Sequence, residues 1–356
     1  MRRNQPDTLA AQVRDAPARA RRRTRRRIRV AIGASLAVCL AALLAVAVTV
    51  PFSTTARQPT PGAPAPHFDP PAAGGVPDGH VANPNRLEQP LPPGWKDVEP
   101  LLAAAVDEAA GQGHELAACV LAIDAPAEPV VCSGQDDPRY AASVIKLAFA
   151  VGALEAWDAD PSAQTPYGEL DDLLTAAIIV SDNDAANLLY DLSVDGPTAP
   201  DTDDPLTALG DIADRVGLAE QFHSGGAFRY EETGDWSRVT ARGSARFLAE
   251  LVRAADGRAS SGAALTSPAV ARFVLDAMLA QERRWKLPAR LPAGSIANKT
   301  GETDDQSHDI AVVNTGSGRY AIAVIASASD MSAAPDDVMA DLGHDVVAAL
   351  GGPAQF

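Results

Sequence analysis

Strand-like segments at both ends of the chain's body enclose a long block of helical segments, and this order constrains the fold most. Two strand-like runs precede the block, at 115–123 and 130–133, and three follow it, at 295–299, 309–314 and 320–327. Apolar residues recur at helical spacing in eight segments: 98–110, 143–157, 170–180, 184–192, 205–216, 240–255, 268–279 and 335–350. The two ends therefore build one sheet, flanked by the first and last helices, beside an all-α lobe. A cleft between sheet and lobe is the expected place for a site.

The N-terminal part is basic and then apolar. Residues 1–29 contain 11 arginines and two acidic residues, although the whole chain has a net charge of −16. No charge occurs in residues 30–52, a run long enough to cross the hydrocarbon core with the arginines on the cytoplasmic side. We expect a single-pass signal anchor. The alternative is secretion after cleavage of a signal peptide, because residues 45–47 read Ala-Val-Ala, a small-x-small cleavage form.

A proline-rich spacer separates this segment from the body. Residues 53–95 hold 11 prolines and few large apolar residues, so they cannot bury a core. We therefore predict four parts: a basic cytoplasmic segment (1–29), a transmembrane anchor (30–52), a linker (53–95) and an extracytoplasmic domain (96–356) in the cell membrane. The acidic body argues against nucleic-acid binding.

Two cysteines fall on the first pair of predicted strands. Cys119 and Cys132 are equidistant from the centre of the turn at residues 124–127, so they face each other across a hairpin. Directly opposed strand residues have the separation that a disulfide needs, and an exported domain is in an oxidising medium. The sequence predicts a Cys119–Cys132 disulfide, with two free buried thiols as the alternative.

One hydroxyl and one amine interrupt the apolar run at residues 141–150. Ser143 and Lys146 are three residues apart and share a helix face, so the amine can lie within hydrogen-bond reach of the hydroxyl. The chain has 26 arginines but only four lysines, at 96, 146, 286 and 299. A desolvated lysine can lose its proton and act as a base, whereas arginine cannot. The pair is a candidate nucleophile beside its base.

Two further short motifs follow the Ser143–Lys146 pair along the chain. Ser181-Asp182-Asn183 lies between two predicted helices, and Lys299-Thr300-Gly301 ends the third strand. With Ser-x-x-Lys at the start of a buried helix, this set resembles the penicillin-recognising serine acyl-transferases, nearest to class A β-lactamases, with the D,D-peptidases as the wider family. The resemblance covers about residues 97–351. It implies an α+β fold: a five-stranded antiparallel sheet flanked by terminal helices, with an all-α lobe inserted between strands two and three.

The resemblance implies catalytic roles for three residues. Ser143 attacks the lactam or peptide carbonyl, Lys146 takes its proton directly or through water, and Ser181 relays a proton to the leaving nitrogen. The backbone N–H groups of Ser143 and Glu302 form the oxyanion hole. Acyl transfer of this kind needs no metal and no cofactor.

The resemblance also implies a substrate-binding set. Asn183 holds the substrate amide, and Lys299 and Thr300 hold the substrate carboxylate. Lys299 also helps to keep the amine of Lys146 neutral. Gly301 and Glu302 complete the predicted set.

The sequence departs from the family pattern in two places. Hydrolysing members carry Glu-x-x-Leu-Asn before the next long helix, where the glutamate activates the deacylating water, but residues 223–236 contain no such motif. Glu231 or Glu232 can replace it, although solvated loop carboxylates are the more ordinary interpretation. Glu302 places an extra anion beside Lys299, which is expected to weaken binding of anionic β-lactams.

Two functions follow from the sequence. The first is a membrane-anchored serine hydrolase, of β-lactamase or D,D-peptidase type, that acts on β-lactams or a peptidoglycan-related amide of the cell wall with slow deacylation. The second is a penicillin- or wall-binding sensor or scaffold domain without turnover. We expect a monomer. The six histidines show no metal-ligand spacing, and Trp285 with its basic neighbours is expected to be a solvated helix end.

Overall fold

A computed structural model describes residues 90–125, 128–228, 236–259, 262–328 and 334–356. The predicted cytoplasmic segment, the predicted anchor at 30–52 and most of the predicted linker lie outside the described residues. Among the helices that are described, none has the length and apolar character needed to cross a membrane.

The main sheet has five strands, all paired antiparallel with their neighbours. Ten strands occur in the described residues, five of them in this sheet. In chain order they are β1 (His114–Ala122), β2 (Val130–Ser133), β3 (Arg139–Tyr140), β4 (Gln164–Thr165), β5 (Gly168–Glu169), β6 (Phe222–His223), β7 (Arg238–Val239), β8 (Ile296–Glu302), β9 (Gln306–Thr315) and β10 (Gly318–Ala328). The order across the main sheet is β2-β1-β10-β9-β8, and β3-β7-β6 and β4-β5 form two small sheets. The predicted sheet, built from both ends of the chain, is therefore confirmed.

The described residues form eight α-helices, some of which pack on the two faces of this sheet while others pack on neighbouring helices. They are α1 (Trp95–Gly111), α2 (Lys146–Ala156), α3 (Leu170–Thr175), α4 (Asn183–Leu192), α5 (Pro205–Asp214), α6 (Ala241–Ala255), α7 (Pro268–Leu279) and α8 (Asp336–Ala349). Leu116 and Val120 of β1 belong to a core that includes α1 and α8, whereas Ala117 and Leu121 belong to the core of the helical lobe. Because successive strand residues point to opposite faces, both faces of the sheet are buried.

The disulfide lies on the first hairpin. β1 and β2 are paired with Cys119 directly opposite Cys132, and the two sulfurs are bonded. A shift of this register by one residue would move every side chain of the strand to the other face and separate the two cysteines.

Several predicted element boundaries were wrong, mostly near the three sequence motifs. The segment predicted as a helix from residue 143 begins with a 3₁₀ turn at Ala142–Ile145, and the segment predicted to be helical to residue 180 ends in a π turn at Ala176–Val180. The Lys-Thr-Gly motif lies within β8 and not at its end. The five two-residue strands were not predicted, because two residues carry no periodicity.

Candidate active site

A tight turn presents Ser143 at the start of the buried helix α2. Ala142 has a positive φ of 45°, and Ser143 is 9% exposed. A left-handed backbone costs energy in a residue other than glycine, so packing around this turn must hold it in place. The Ser143 hydroxyl consequently lies at the surface of a rigid apolar layer.

The amine of Lys146 is fully buried and fully hydrogen-bonded. Lys146 Nζ donates to Ser181 O at 2.6 Å, to Asn183 Oδ1 at 2.7 Å and to Ser181 Oγ at 3.3 Å. Within the described part of the chain, no hydrogen bond joins Lys146 Nζ to Ser143 Oγ, although the shared helix face predicted one. The 3₁₀ turn alters the spacing of the two side chains, and the acceptors of the neighbouring loop take the amine.

The loop that carries Ser181 is shaped by the helices on both sides. The π turn ends at Ser181, whose φ of 67° is left-handed, and Asp182 caps α4 by accepting the Ala185 N–H at 2.7 Å. π turns interrupt helices mostly at functional positions. The result is that Ser181 and Asn183 both face Lys146.

Lys299 reaches the same hydroxyl from the sheet. Lys299 Nζ donates to Ser181 Oγ at 2.8 Å and to Thr300 O at 2.9 Å. Ser181 Oγ therefore lies between two buried amines that are far apart in the sequence. This arrangement connects three of the predicted motifs in one hydrogen-bonded chain.

Both amines are easier to deprotonate than an ordinary lysine. Burial lowers the pKa of Lys146 to about 7, with the positive charge of Arg283 acting in the same direction. Burial also lowers the pKa of Lys299 well below its usual value, and the nearby charge of Lys146 lowers it further. A fraction of Lys146 is therefore neutral at physiological pH and can accept a proton.

Gly301 lets β8 approach the turn that carries Ser143. A side chain at this position would begin 3.1 Å from Ala141 O and 3.2 Å from Ala142 Cβ. The motif glycine is thus explained by close packing. The contact packs β8 against the turn that carries Ser143.

Glu302 is paired with two cations that sequence analysis misread. Glu302 Oε2 lies 2.8 Å from Arg283 Nη1, and Glu302 Oε1 lies 2.9 Å from Lys286 Nζ. Lys286 is completely buried, so the expected solvated helix end around Trp285 is wrong for Lys286. The rarity of lysine was the available signal, because three of the four lysines lie in this region.

The buried carboxyl group of Asp309 holds the segment that carries Lys286. Asp309 accepts hydrogen bonds from Asn298 Nδ2 at 2.9 Å and from the Leu287 N–H at 3.1 Å. Burial raises its pKa to about 7. Asp309 thereby fixes the segment that carries Lys286 against β8 and β9.

A buried histidine connects the sheet to the segment just before the Ser143 turn. His308 Nε2 lies 2.8 Å from Tyr140 O, and the Ala326 N–H donates to His308 Nδ1 at 3.2 Å. Nε2 therefore carries the proton and donates it, and burial lowers the pKa of the ring to about 4. His308 is a neutral structural residue. The described residues contain no group of His, Cys, Asp and Glu that could hold a metal ion.

An aromatic ring lies beside the amine of Lys146. The Phe228 N–H donates to Asn187 Oδ1 at 2.8 Å, and the Phe228 ring centre is 4.9 Å from Lys146 Nζ. The ring also packs edge-to-face on Phe149, with centres 6.0 Å apart. Glu231 and Glu232, the predicted substitutes for the family's glutamate, lie outside the described residues.

Comparisons with known proteins agree with this architecture. A β-lactamase from Sphaerobacter thermophilus has 21% identity and a TM-score of 0.57, over 71% of this chain and 97% of its own. A class A β-lactamase from Bacteroides cellulosilyticus has 17% identity and a TM-score of 0.56, over 71% and 98%. The TLA-1 extended-spectrum β-lactamase has 16% identity and a TM-score of 0.57, over 71% and 99%. None of the curated protein sequences matches the chain.

These structures have the class A β-lactamase fold, and this chain shares it. The β-lactamase enzyme family matches residues 101–350, which is most of the chain. The protein therefore belongs to the β-lactamase enzyme family.

Proposed function

We propose that the protein is a serine acyl-enzyme hydrolase that acts on β-lactams or a related peptidoglycan amide and releases its product slowly. The observation that carries this proposal is the Ser181 hydroxyl, held between the buried amines of Lys146 and Lys299. Buried lysines with a lowered pKa are rare in a structural core and are useful for proton transfer.

In the acylation step, Ser143 Oγ forms a bond to the carbonyl carbon and its proton passes to neutral Lys146. The C–N bond then breaks, and the leaving nitrogen receives a proton through Ser181. The N–H groups of Ser143 and Glu302 stabilise the negative oxygen, and each such donor typically contributes about 10²–10³ in rate. The side chains of Ser143, Lys146 and Ser181 are all buried, and this burial supports the route. Electrostatic interactions between such groups are stronger where water is excluded.

The surroundings of Lys146 support slow deacylation. The Lys146 amine donates hydrogen bonds to Ser181 and Asn183, and the apolar ring of Phe228 lies against another side of it. Among the described residues, no carboxylate is hydrogen-bonded to Lys146. The sequence at 223–236 also lacks the family's Glu-x-x-Leu-Asn. A general base typically contributes about 10²–10⁴ to the attack of water, so we expect a long-lived adduct.

Intact mass measured over time with a penicillin tests the proposal. The wild-type protein should rapidly gain the mass of the whole drug, in a burst of one equivalent per protein. It should then lose this mass slowly. Ser143→Ala should gain none while keeping its fold, because only a hydroxyl is removed. An adduct in Ser143→Ala would contradict Ser143 as the nucleophile.

A second candidate is a penicillin- or wall-binding sensor or scaffold domain without turnover. The occupied donors of Lys146 favour it, because the amine has no hydrogen bond to Ser143 Oγ in the described contacts. Binding of the drug in equilibrium dialysis, without any mass adduct on the protein, would select this function.

We also propose that the domain is exported and tethered to the cell membrane as a monomer. The uncharged run at 30–52 and the disulfide of the domain support this location. The full-length chain should sediment with membranes at its uncut mass. A soluble product that begins near residue 49 would indicate a cleaved signal peptide instead.

A further inference from the structure

The side chain of Gln281 joins two segments of the candidate active site that are far apart in the sequence. Gln281 is buried, with 2% exposure. Gln281 Nε2 donates to Ile178 O at 2.8 Å, and Gln281 Oε1 accepts the Arg283 N–H at 3.0 Å. Both ends of the amide are therefore used, one toward the π turn at Ala176–Val180 and one toward the segment at 281–286.

The π turn that leads into Ser181 receives donors from outside its own helix. The last carbonyl groups of a helix have no partner within the helix. Gln281 supplies a donor to Ile178 O, and the Glu282 N–H donates to Ile179 O at 3.4 Å. Ser181 follows with a left-handed φ of 67°, a conformation that persists only where the surrounding structure holds it. The contact from Gln281 therefore helps to fix the backbone of Ser181.

The other end of this bridge is attached to β8. Asn298 Nδ2 donates to Arg283 O at 3.3 Å, and Arg283 Nη1 lies 2.8 Å from Glu302 Oε2. Asn298 and Glu302 both belong to β8, which also carries Lys299. Arg283 is thus held on the strand whose Lys299 amine donates to Ser181 Oγ at 2.8 Å.

We propose that Gln281 is a positioning residue for acyl transfer, which holds the Ser181 hydroxyl where it can pass a proton to the leaving nitrogen. Gln281 acts through the backbone of the π turn, because its own polar atoms are bonded to Ile178 and Arg283. A misplacement of about 1 Å can lower a rate by about 10². This inference rests on the proposed acylation of Ser143.

Proton delivery to the leaving group is needed for an amide and not for an activated ester. In β-lactam acylation, Ser143 Oγ bonds to the carbonyl carbon and its proton passes to Lys146. The C–N bond breaks as the nitrogen takes the proton of Ser181, and the Lys146 ammonium, 3.3 Å from Ser181 Oγ, replaces that proton. With a p-nitrophenyl ester the C–O bond breaks, p-nitrophenolate leaves as an anion, and the serine proton passes from Lys146 to water. A residue that positions Ser181 therefore affects the first reaction much more than the second.

The test is Gln281→Met, which keeps the length of the side chain and removes both hydrogen bonds. Acylation of the full-length protein in detergent is measured by intact mass, with benzylpenicillin and with the p-nitrophenyl ester of phenylacetic acid. We expect the penicillin rate to fall by about tenfold to a hundredfold while the ester rate stays within about twofold. Gln355→Met is the matched control, because it removes a side-chain hydrogen bond to Ala293 O outside this bridge. Both of its rates should equal those of the wild type.

An unchanged penicillin rate in Gln281→Met would overturn the inference. Equal losses with the two substrates would also overturn it, because a general disturbance of the fold slows both reactions. If Gln281→Met does not fold, Gln281→Glu takes its place, since it keeps an acceptor for the Arg283 N–H and has no donor for Ile178 O.

The saturation curve with benzylpenicillin gives a second readout, which decides if the ester does not acylate the wild type. The maximal acylation rate constant should fall in Gln281→Met while the half-saturating concentration stays the same. A higher half-saturating concentration at an unchanged maximal rate would contradict a role in proton transfer. No penicillin adduct on the wild type would instead count against the proposed function.

Discussion

Replacing Phe228 with glutamate should accelerate the deacylation step that we propose to be slow. The Phe228 backbone is held by Asn187, and its ring centre lies 4.9 Å from Lys146 Nζ. A carboxylate that starts from this position reaches the neighbourhood of Lys146 Nζ. It can therefore act as the general base for deacylation, which no described carboxylate now does at Lys146.

The same charge has an opposite effect on acylation, and its magnitude can be worked out. A carboxylate about 4.9 Å from Lys146 Nζ attracts the ammonium by about 3 kcal/mol at an effective dielectric constant of about 20. This raises the pKa of Lys146 by about two units from its value of about 7. Acylation at neutral pH should slow by up to about a hundredfold, while deacylation should accelerate by about 10²–10⁴.

The assay is the lifetime of the penicillin adduct, followed by intact mass after excess drug is removed. Phe228→Gln is the matched control, because it has the same shape as the glutamate variant and no base. We expect a much shorter lifetime in Phe228→Glu than in Phe228→Gln. Equal lifetimes in these two variants would refute the reasoning, as would rapid multiple turnover by the wild type without any adduct.

Other predictions concern the base, the motif glycine and the disulfide. The acylation rate should rise with pH and level off above about 7, because only neutral Lys146 accepts the proton; a flat profile between pH 5 and 9 would contradict this role. Lys146→Arg should acylate far more slowly, since arginine cannot be a base; a wild-type rate would make Lys146 structural. Gly301→Ala places Cβ 3.1 Å from Ala141 O, so it should cost about 1–3 kcal/mol of stability and slow acylation without preventing folding. An unchanged acylation rate would show that the packing of β8 on the Ser143 turn does not affect catalysis. Replacing Cys119 and Cys132 by serine should lower the free energy of unfolding by at most about 3 kcal/mol in a urea titration, because the closed loop is short; a larger loss would indicate packing effects.

Local pattern was sufficient for the order of the elements. The two strand-like runs, with a turn midway between Cys119 and Cys132, predicted both the hairpin and the disulfide. Helical periodicity found every long helix, although the ends near Ser143 and Ser181 were wrong. Those ends are a 3₁₀ turn and a π turn, where tertiary contacts outweigh intrinsic helix geometry.

The motif residues could be named from the sequence, but their partners could not. Ser181 meets Lys146 and Lys299 across 35 and 118 residues, and Glu302 meets Arg283 across 19. Separations of this kind have no periodic signature, because they depend on how the lobe packs on the sheet.

The sequence by itself determined the strand–helix–strand plan and which residues are the candidate nucleophile and bases, since each depends on residue type and local spacing. The tertiary structure alone decided that Lys286 is buried against Glu302 and that Phe228 covers Lys146. Burial and charge pairing arise only when distant segments meet and exclude water. They set the pKa values and the electrostatics on which the chemistry of this site depends.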